Sequence, residues 1–234
     1  MGRELVRGLD RWCLWMADDD FDPKDIQKSV LLKSRVAQVR EVRLASKKRA
    51  TQESALTPHL FQENHQPDEP YVGIPAVVSE TRRFYTAQLL SRSVIAGNKL
   101  YTAVDPEGLL FGLISSSMFI TWQKTIGGRL KSDLNFANTL TWNTFPVPEL
   151  SDRQRDVIIK AGRKVLDARA LHPQRSLADH YNPLAMDPVL VKAHDGLDRE
   201  VDKAFGAPRK LTSERQRQEL LFSNYVELAG LEKQ

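Results

Sequence analysis

Residues that favour extended backbone are confined to the middle of this chain, and that placement limits the fold more than any other feature. Residues 71–78, 84–90 and 100–104 are short segments rich in β-branched and aromatic side chains. Turn-like strings separate them, Ser-Glu-Thr-Arg-Arg at 79–83 and Ala-Gly-Asn-Lys at 96–99, which is the pattern of a small sheet. A further extended stretch is expected over 139–147, ending at Pro146 and Pro148. On both sides of this window the apolar residues recur at helical spacing instead.

Upstream, Asp22-Pro23 is a helix start, with Asp as N-cap and Pro in the first helical position. Ile26, Val30, Val36, Val39 and Val42 then follow at helical intervals. Arg40, Arg43 and Lys47 share a face of that helix, either as a solvated surface or as a stripe facing phosphates. Residues 50–70 carry Pro58, Pro67 and Pro70 without periodicity and read as a connector. Asp105-Pro106 opens a helix expected to run to about Thr125, where the Gly127-Gly128 pair ends it. In the last third, Ser151, Asp187-Pro188 and Ser213 each begin a helical segment. The expected fold is α+β: a small mixed sheet with one prominent helix, flanked by a long N-terminal helix and a C-terminal helical domain. The corresponding division is a helical connector over 1–65, a central domain over 66–150 and a helical domain over 151–234.

The 234 residues carry a net charge of +4 with a pI near 9.2, compatible with a polyanionic partner without requiring one. Residues 51–150 hold only 7 Lys/Arg against 9 Asp/Glu. A polyanion bound there must be held by particular side chains and not by bulk charge. The single cysteine, Cys13, excludes an intramolecular disulfide and multi-cysteine metal sites; within Trp12-Cys13-Leu14-Trp15-Met16 it is expected as a buried thiol. Charged residues interrupt the N-terminus where a signal peptide would be apolar. The most apolar stretch, 109–122, is too short and too rich in Ser and Thr to span a bilayer. A cytoplasmic protein without membrane contact is expected.

No complete catalytic centre can be assembled from these residues. An adenine amino-methyltransferase needs an (Asp/Asn)-Pro-Pro-aromatic loop to accept from the exocyclic amine and stack on the flipped base. No Pro-Pro pair occurs; Asp105-Pro106-Glu107 and Asn182-Pro183-Leu184 read as a cap and a turn. Gly108 and Gly112 have the wrong spacing for a cofactor loop. His172, His180 and His194 match no recurrent metal pattern, and surface or capping roles are expected for them. No spacing singles out a nuclease carboxylate cluster.

Several strings nevertheless stand together in order: Arg11-Trp12-Cys13-Leu14-Trp15, Arg40-Glu41-Val42-Arg43-Leu44-Ala45-Ser46, Tyr71-Val72-Gly73-Ile74-Pro75 and Ser79-Glu80-Thr81-Arg82-Arg83. Leu113-Ile114-Ser115-Ser116-Ser117-Met118, Gly128-Arg129-Leu130-Lys131-Ser132-Asp133 and Asn143-Thr144-Phe145-Pro146 follow. Leu166-Asp167-Ala168-Arg169, the run from Ser176 to Pro183 and Ala193-His194-Asp195-Gly196-Leu197-Asp198 complete the series. In these, nearly the whole chain resembles the C-terminal part of MmeI-like enzymes, fused DNA restriction–modification proteins, and of related adenine methyltransferases. The resemblance implies a target recognition domain followed by a helical tail. It implies that S-adenosylmethionine and the methyl-transfer core belong to an upstream part of the same parent chain, so that this part holds no cofactor. The implied partners are double-stranded DNA and that core.

Within such a domain, Lys131, Asp133 and Asn135 would share one face of an extended segment. Lys donates to O6 and N7 of guanine, Asp accepts from N4 of the paired cytosine, and an amide suits adenine. The resemblance places specificity determinants at this triplet, with Lys and Asp as the combination for guanine. The bland alternative is a surface ion pair of little energetic worth. Asn98 and Lys99 match a second specificity position and Glu80 a weaker one; Asn98 is equally a turn residue tolerating left-handed backbone. Arg82, Arg83, Arg129, Arg40 and Arg43 are candidates for phosphate contacts, which position without specifying, and Arg129 is alternatively a structural partner for Asp133. Trp142 and Phe145 are read as packing. Two other classes remain open: an assembly scaffold built on the amphipathic tail, and a hydrolase with carboxylates around Glu80 and Asp133.

Overall fold

The computed structural model describes residues 2–230. They form two units, residues 11–65 and a larger one made of residues 2–10 with 66–230.

In the 11–65 unit the Asp22-Pro23 signal works locally: the Asp22 carboxylate accepts from the Lys24 amide at 2.9 Å. What it starts is a 3₁₀ turn, Pro23–Lys28, and not the long helix. Ser29, in extended conformation, breaks the run and caps α2 (Val30–Leu44). No residue of α2 is buried within the described structure; Val42 is 73% exposed. A short α3 (Arg49–Glu53) and a 3₁₀ turn (Ser54–Leu56) occupy the expected connector. Cys13 is exposed, contrary to expectation. The apolar run around it belongs to a unit in which only Ile26 and Ala55 reach the buried core, and Trp12 is 90% exposed.

The larger unit opens with α1 (Gly2–Arg7). All strand pairings are antiparallel, and the expected single sheet is two. Strand β1 (Tyr71–Pro75) lies between β3 (Gln88–Leu90) and β4 (Leu100–Val104), with Gly73 opposite both Gln88 and Thr102. The second sheet is ordered β2 (Val77–Val78), β6 (Asp133–Asn135), β5 (Gly128–Leu130). Ala76 joins them, donating its N–H to the Lys99 carbonyl (3.1 Å) and accepting from the Phe136 amide (2.8 Å). Residues 84–87 are not strand: Phe84 and Tyr85 are fully buried, and the Tyr85 hydroxyl donates to the Pro75 carbonyl at 2.6 Å.

The helix expected from Asp105 is two helices, α4 (Leu109–Ile114) and α5 (Ser117–Ile126). Asp105 does cap the first, accepting from the Leu110 and Phe111 amides at 3.1 and 2.7 Å. The break falls at Ser115-Ser116, where the Ser116 hydroxyl caps α5. Residues 139–147 are not extended either; Asn138–Trp142 forms a π-helical turn. The tail forms α6 (Asp152–Ala170), α7 (Leu177–His180), α8 (Pro188–Ala204) and α9 (Glu214–Leu228). Ser151, Ser176 and Ser213 each close a capping box.

One apolar core runs through both sheets and the tail, from Val72 and Ile74 through Phe119 to Val165, Leu197 and Leu221. The amphipathic stripes of α6 and α8 are therefore spent inside the unit. Glycines bring α4 and α6 together: a Cβ on Gly162 would lie 3.3 Å from the Gly112 Cα.

Two of the expected surface histidines are buried, His180 and His194. His194 stacks on Phe84 with ring centroids 3.9 Å apart, and its Nε2 lies 2.7 Å from the Tyr181 hydroxyl. That hydroxyl already accepts from the Arg169 guanidinium, so its own proton points to His194, which must be the neutral acceptor. Burial holds His194 well below the ordinary imidazole range, in agreement. His172 stays part-exposed, bonded at 2.9 Å to the side chain of Asp187, the N-cap of α8.

Candidate nucleic-acid interface

The candidate base-reading residues lie on three segments far apart in sequence, which backbone pairing at β2–β6 and at Ala76 sets beside one another; of these residues, Lys99 and Asp133 line a common groove. Strand β2 sets Val77 opposite Asn135 and Val78 opposite Leu134, which leads the chain into Ser79 and Glu80 beside the start of β6. The Ala76 amide holds the 98–99 turn against the same junction through the Lys99 carbonyl.

Strand β6 begins only at Asp133. Asp133 and Asn135 share a face while Leu134 between them is fully buried. Lys131 is not on that strand: with Ser132 it forms the two-residue loop that joins Leu130 to its partner Asp133. Its φ is +57°, a left-handed conformation that suits the twist of tight hairpins but costs an ordinary L-residue roughly 1–2 kcal/mol. Lys99 has φ +65°. The left-handed geometry expected of Asn98 thus falls one residue later. Among the described residues, Lys99 and Lys131 are the non-glycine positions with positive φ. Both side chains are exposed.

Lys99 and Asp133 line one open groove of ≈ 880 Å³ together with Arg82 and Asp179. Arg82 is half-buried and gives one N–H to the Ala178 carbonyl at 3.0 Å; burial lowers its pKa below the usual arginine value. Asp179 closes the capping box of α7, and its bonds to Ser176 hold its carboxyl below the ordinary range. The groove is also lined by Arg3 and Arg7 of α1, which sequence reasoning passed over. Their four-residue spacing was the available signal, but nothing in the chain indicated where that short helix packs.

The other arginines are more committed. Arg83 pairs with Asp195 at 2.7 Å and lies over the Phe84 ring. Arg129 pairs with Glu80 at 3.5 Å and donates to the Ser132 carbonyl at 3.1 Å, so Glu80 is its acidic partner and the hairpin loop is braced by it. In the 11–65 unit, Arg43 donates to the carbonyls of Ser54, Thr57 and Leu60; Arg40 is exposed on α2. The nearest approaches to a methyltransferase loop are occupied structurally, Asp105 as the cap of α4 and Asn182 as a turn acceptor for the Leu184 amide at 3.1 Å. Among the described residues no group of three or more His, Cys, Asp or Glu is placed to hold a metal, and no helix is long and apolar enough to cross a membrane.

The arrangement offers cationic donors and a carboxylate acceptor from separate segments on one groove, a set able to meet both base edges and phosphates. Comparison with known proteins gives consistent matches. Residues 1–149 match the family model described as the MmeI target recognition domain, and residues 150–231 that of the MmeI C-terminal domain. DNA methyltransferase A of Bacillus subtilis (strain 168) is 33% identical over 225 residues, 96% of this chain and 25% of that protein. The solved structure of the Type IIL restriction-modification enzyme MmeI in complex with DNA is 37% identical, with a TM-score of 0.91 over 98% of this chain and 30% of that one. The chain thus spans between a quarter and a third of these relatives.

Proposed function

Because the chain belongs to the MmeI family, matching its target recognition and C-terminal domains in succession, we propose that it reads a double-stranded DNA sequence for a methyltransferase. The observation that carries this reading is the coincidence of strain and chemistry. The non-glycine residues held in left-handed backbone, Lys99 and Lys131, are both residues singled out from sequence as base readers. Strained positions persist where the surroundings hold them and concentrate at functional sites.

Lys131, at the tip of the β5–β6 hairpin, presents its ammonium to guanine O6 and N7, while Asp133 at the base of the loop accepts from N4 of the paired cytosine. Asn135, Asn98, Lys99 and Glu80 serve neighbouring positions. Arg82, Arg83, Arg129, Arg40 and Arg43 are the phosphate candidates from sequence, with Arg40 the least engaged by protein. S-adenosylmethionine, base flipping and N6 methylation of adenine belong to the upstream core, whose partner on this side is the 1–65 connector. The recognition segment is 66–150 and the helical segment 151–234, and the parent acts in the cytoplasm.

The test joins the chain to a methyltransferase core and maps methylated sites across a genome. The Lys131→Glu/Asp133→Arg exchange is expected to replace one G·C pair of the methylated sequence by C·G and leave the other positions unchanged. An unaltered sequence at every position removes the base-reading assignment.

A further inference from the structure

The groove that holds Lys99 and Asp133 has a cationic wall that no candidate site includes. Arg3 and Arg7 stand one turn apart on α1, on the same face by helical geometry. Both are exposed and both line the groove. Helix α1 is held in place by close backbone approach. Gly2 is buried, and a Cβ there would lie 2.5 Å from the Lys99 carbonyl oxygen. The helix therefore sits directly on the turn that presents Lys99, which sets the backbone of Arg3 and Arg7 beside that turn. Gly8, at φ +61°, ends it against Ser176 of the α7 cap.

The groove carries Arg3, Arg7, Arg82 and Lys99 against Asp133 and Asp179. Two hydrogen bonds from Ser176 engage Oδ2 of Asp179, and one bond to the Ala178 carbonyl engages Arg82 in part. Among the described residues, the Arg3 and Arg7 guanidiniums on α1 carry no hydrogen bond or ion pair, and they line the same groove as Lys99 and Asp133. We infer that Arg3 and Arg7 bind backbone phosphates of the duplex beside the base pairs read at Lys99 and Asp133, and so set the register of the domain on DNA. The inference rests on the DNA-reading function proposed above. Guanidinium groups match phosphate oxygens in pairs of parallel bonds, and such contacts fix orientation without distinguishing sequence.

The experiment measures binding of the chain, joined to a methyltransferase core, to a random-sequence duplex by fluorescence anisotropy across a salt series, and recovers preferred duplexes from a random pool. Each phosphate neutralised contributes about 0.9 to the slope of log affinity against log salt. The Arg3→Ala/Arg7→Ala variant is expected to lose about 1.8 of that slope, with the base preferences of the recovered duplexes unchanged. Alanine is the best helix former and both positions are exposed, so α1 is retained; Arg3→Lys/Arg7→Lys, which keeps both charges, is expected to restore the slope. An unchanged slope in the alanine variant overturns the inference. If Lys131→Glu/Asp133→Arg still alters the recovered base pair in that case, the base-reading function stands and only the role of α1 is wrong. If the wild-type chain joined to the methyltransferase core binds no duplex at any salt concentration, both are overturned.

Discussion

Replacing Arg217 by Met tests the polar joint that ties α8 and α9 together. The Arg217 guanidinium makes a two-pronged pair with Asp202, Nε to Oδ1 at 3.0 Å and Nη2 to Oδ2 at 2.8 Å. Asp198, one turn earlier on α8, lies 3.8 Å from the same Nη2 and accepts from the Ser117 amide and hydroxyl at 2.7 and 2.6 Å. Arg217 is 8% exposed and Asp202 3%. Removing one partner of a buried pair leaves an uncompensated charge and costs about 3–5 kcal/mol. In a chain of this size each kcal/mol moves Tm by roughly 2–4 °C, so Arg217→Met is expected to lower Tm by about 6–20 °C at pH 8. The loss depends on pH, and its sign follows from Asp202. Burial, opposed by bonding and charge attraction from Arg217, pushes its carboxyl from 3.8 up to about 6. A carboxyl raised in the folded state favours folding below its unfolded value and loses that contribution as pH rises through the folded value. Without Arg217 the carboxyl rises further, so the variant is least impaired at pH 5, where Asp202 takes up a proton. Arg217→Met/Asp202→Leu, which removes both charges, is expected to recover most of the loss at pH 8. Thermal unfolding followed by circular dichroism at pH 5 and pH 8 reads all of this. A single variant that loses under about 1 kcal/mol at pH 8, or a double variant as unstable as the two singles added, would refute the reasoning.

Two helical glycines are expected to respond to alanine with opposite sign in urea unfolding midpoints. Gly196→Ala meets nothing within 4 Å and is expected to stabilise by about 0.5–1 kcal/mol, whereas a Cβ on Gly112 would lie 2.9 Å from Ile158 Cγ2 and 3.3 Å from its carbonyl, and the crowding, about 1–3 kcal/mol, is expected to exceed that gain. Lys131→Gly relieves the left-handed backbone strain at φ +57°, roughly 1–2 kcal/mol, against a larger unfolded-state entropy of about 0.5–1 kcal/mol. It is expected to leave the chain as stable or slightly more so while the preference for one G·C pair disappears from recovered duplexes; an unchanged preference would exclude Lys131 as a reader.

The elements legible in the residues were those whose signal is local. A serine or aspartate that accepts from an amide two or three residues on needs no distant partner, and Ser151, Asp187 and Ser213 cap helices as their sequence indicates. The Asp105 cap was legible for the same reason, but the length of what it caps was not. Asp198 of α8 grips Ser117 at the start of α5, and that contact across 81 residues accompanies a helix break the local pattern does not show. Residues 84–87 have the composition of a strand, yet Phe84 is taken up by His194 and Tyr85 by the Pro75 carbonyl. Residues 139–143 likewise carry strand formers, and the π turn there buries Thr141 while Trp122 Nε1 donates to Thr144 at 3.2 Å.

The candidate interface divides in the same way. The ability of the Lys131 ammonium and the Asp133 carboxylate to meet a base edge is intrinsic to those side chains, but it was the family resemblance that singled them out, together with Asn98 and Lys99, over a surface ion pair or a turn. That Lys131 stands in a hairpin loop, that Lys99 and not Asn98 takes the left-handed geometry, and that Arg129 is matched to Glu80 are decided by strand register. The convergence of Lys99 and Asp133 with Arg3 and Arg7 on one groove depends also on where α1 packs. The sequence by itself determined the helix starts at Asp105, Ser151, Asp187 and Ser213 and which third holds the sheets. Only the tertiary structure decided which of the candidate side chains meet, since pairing between β2 and β6 and the packing of α1 on the 98–99 turn join residues that have no relation along the chain.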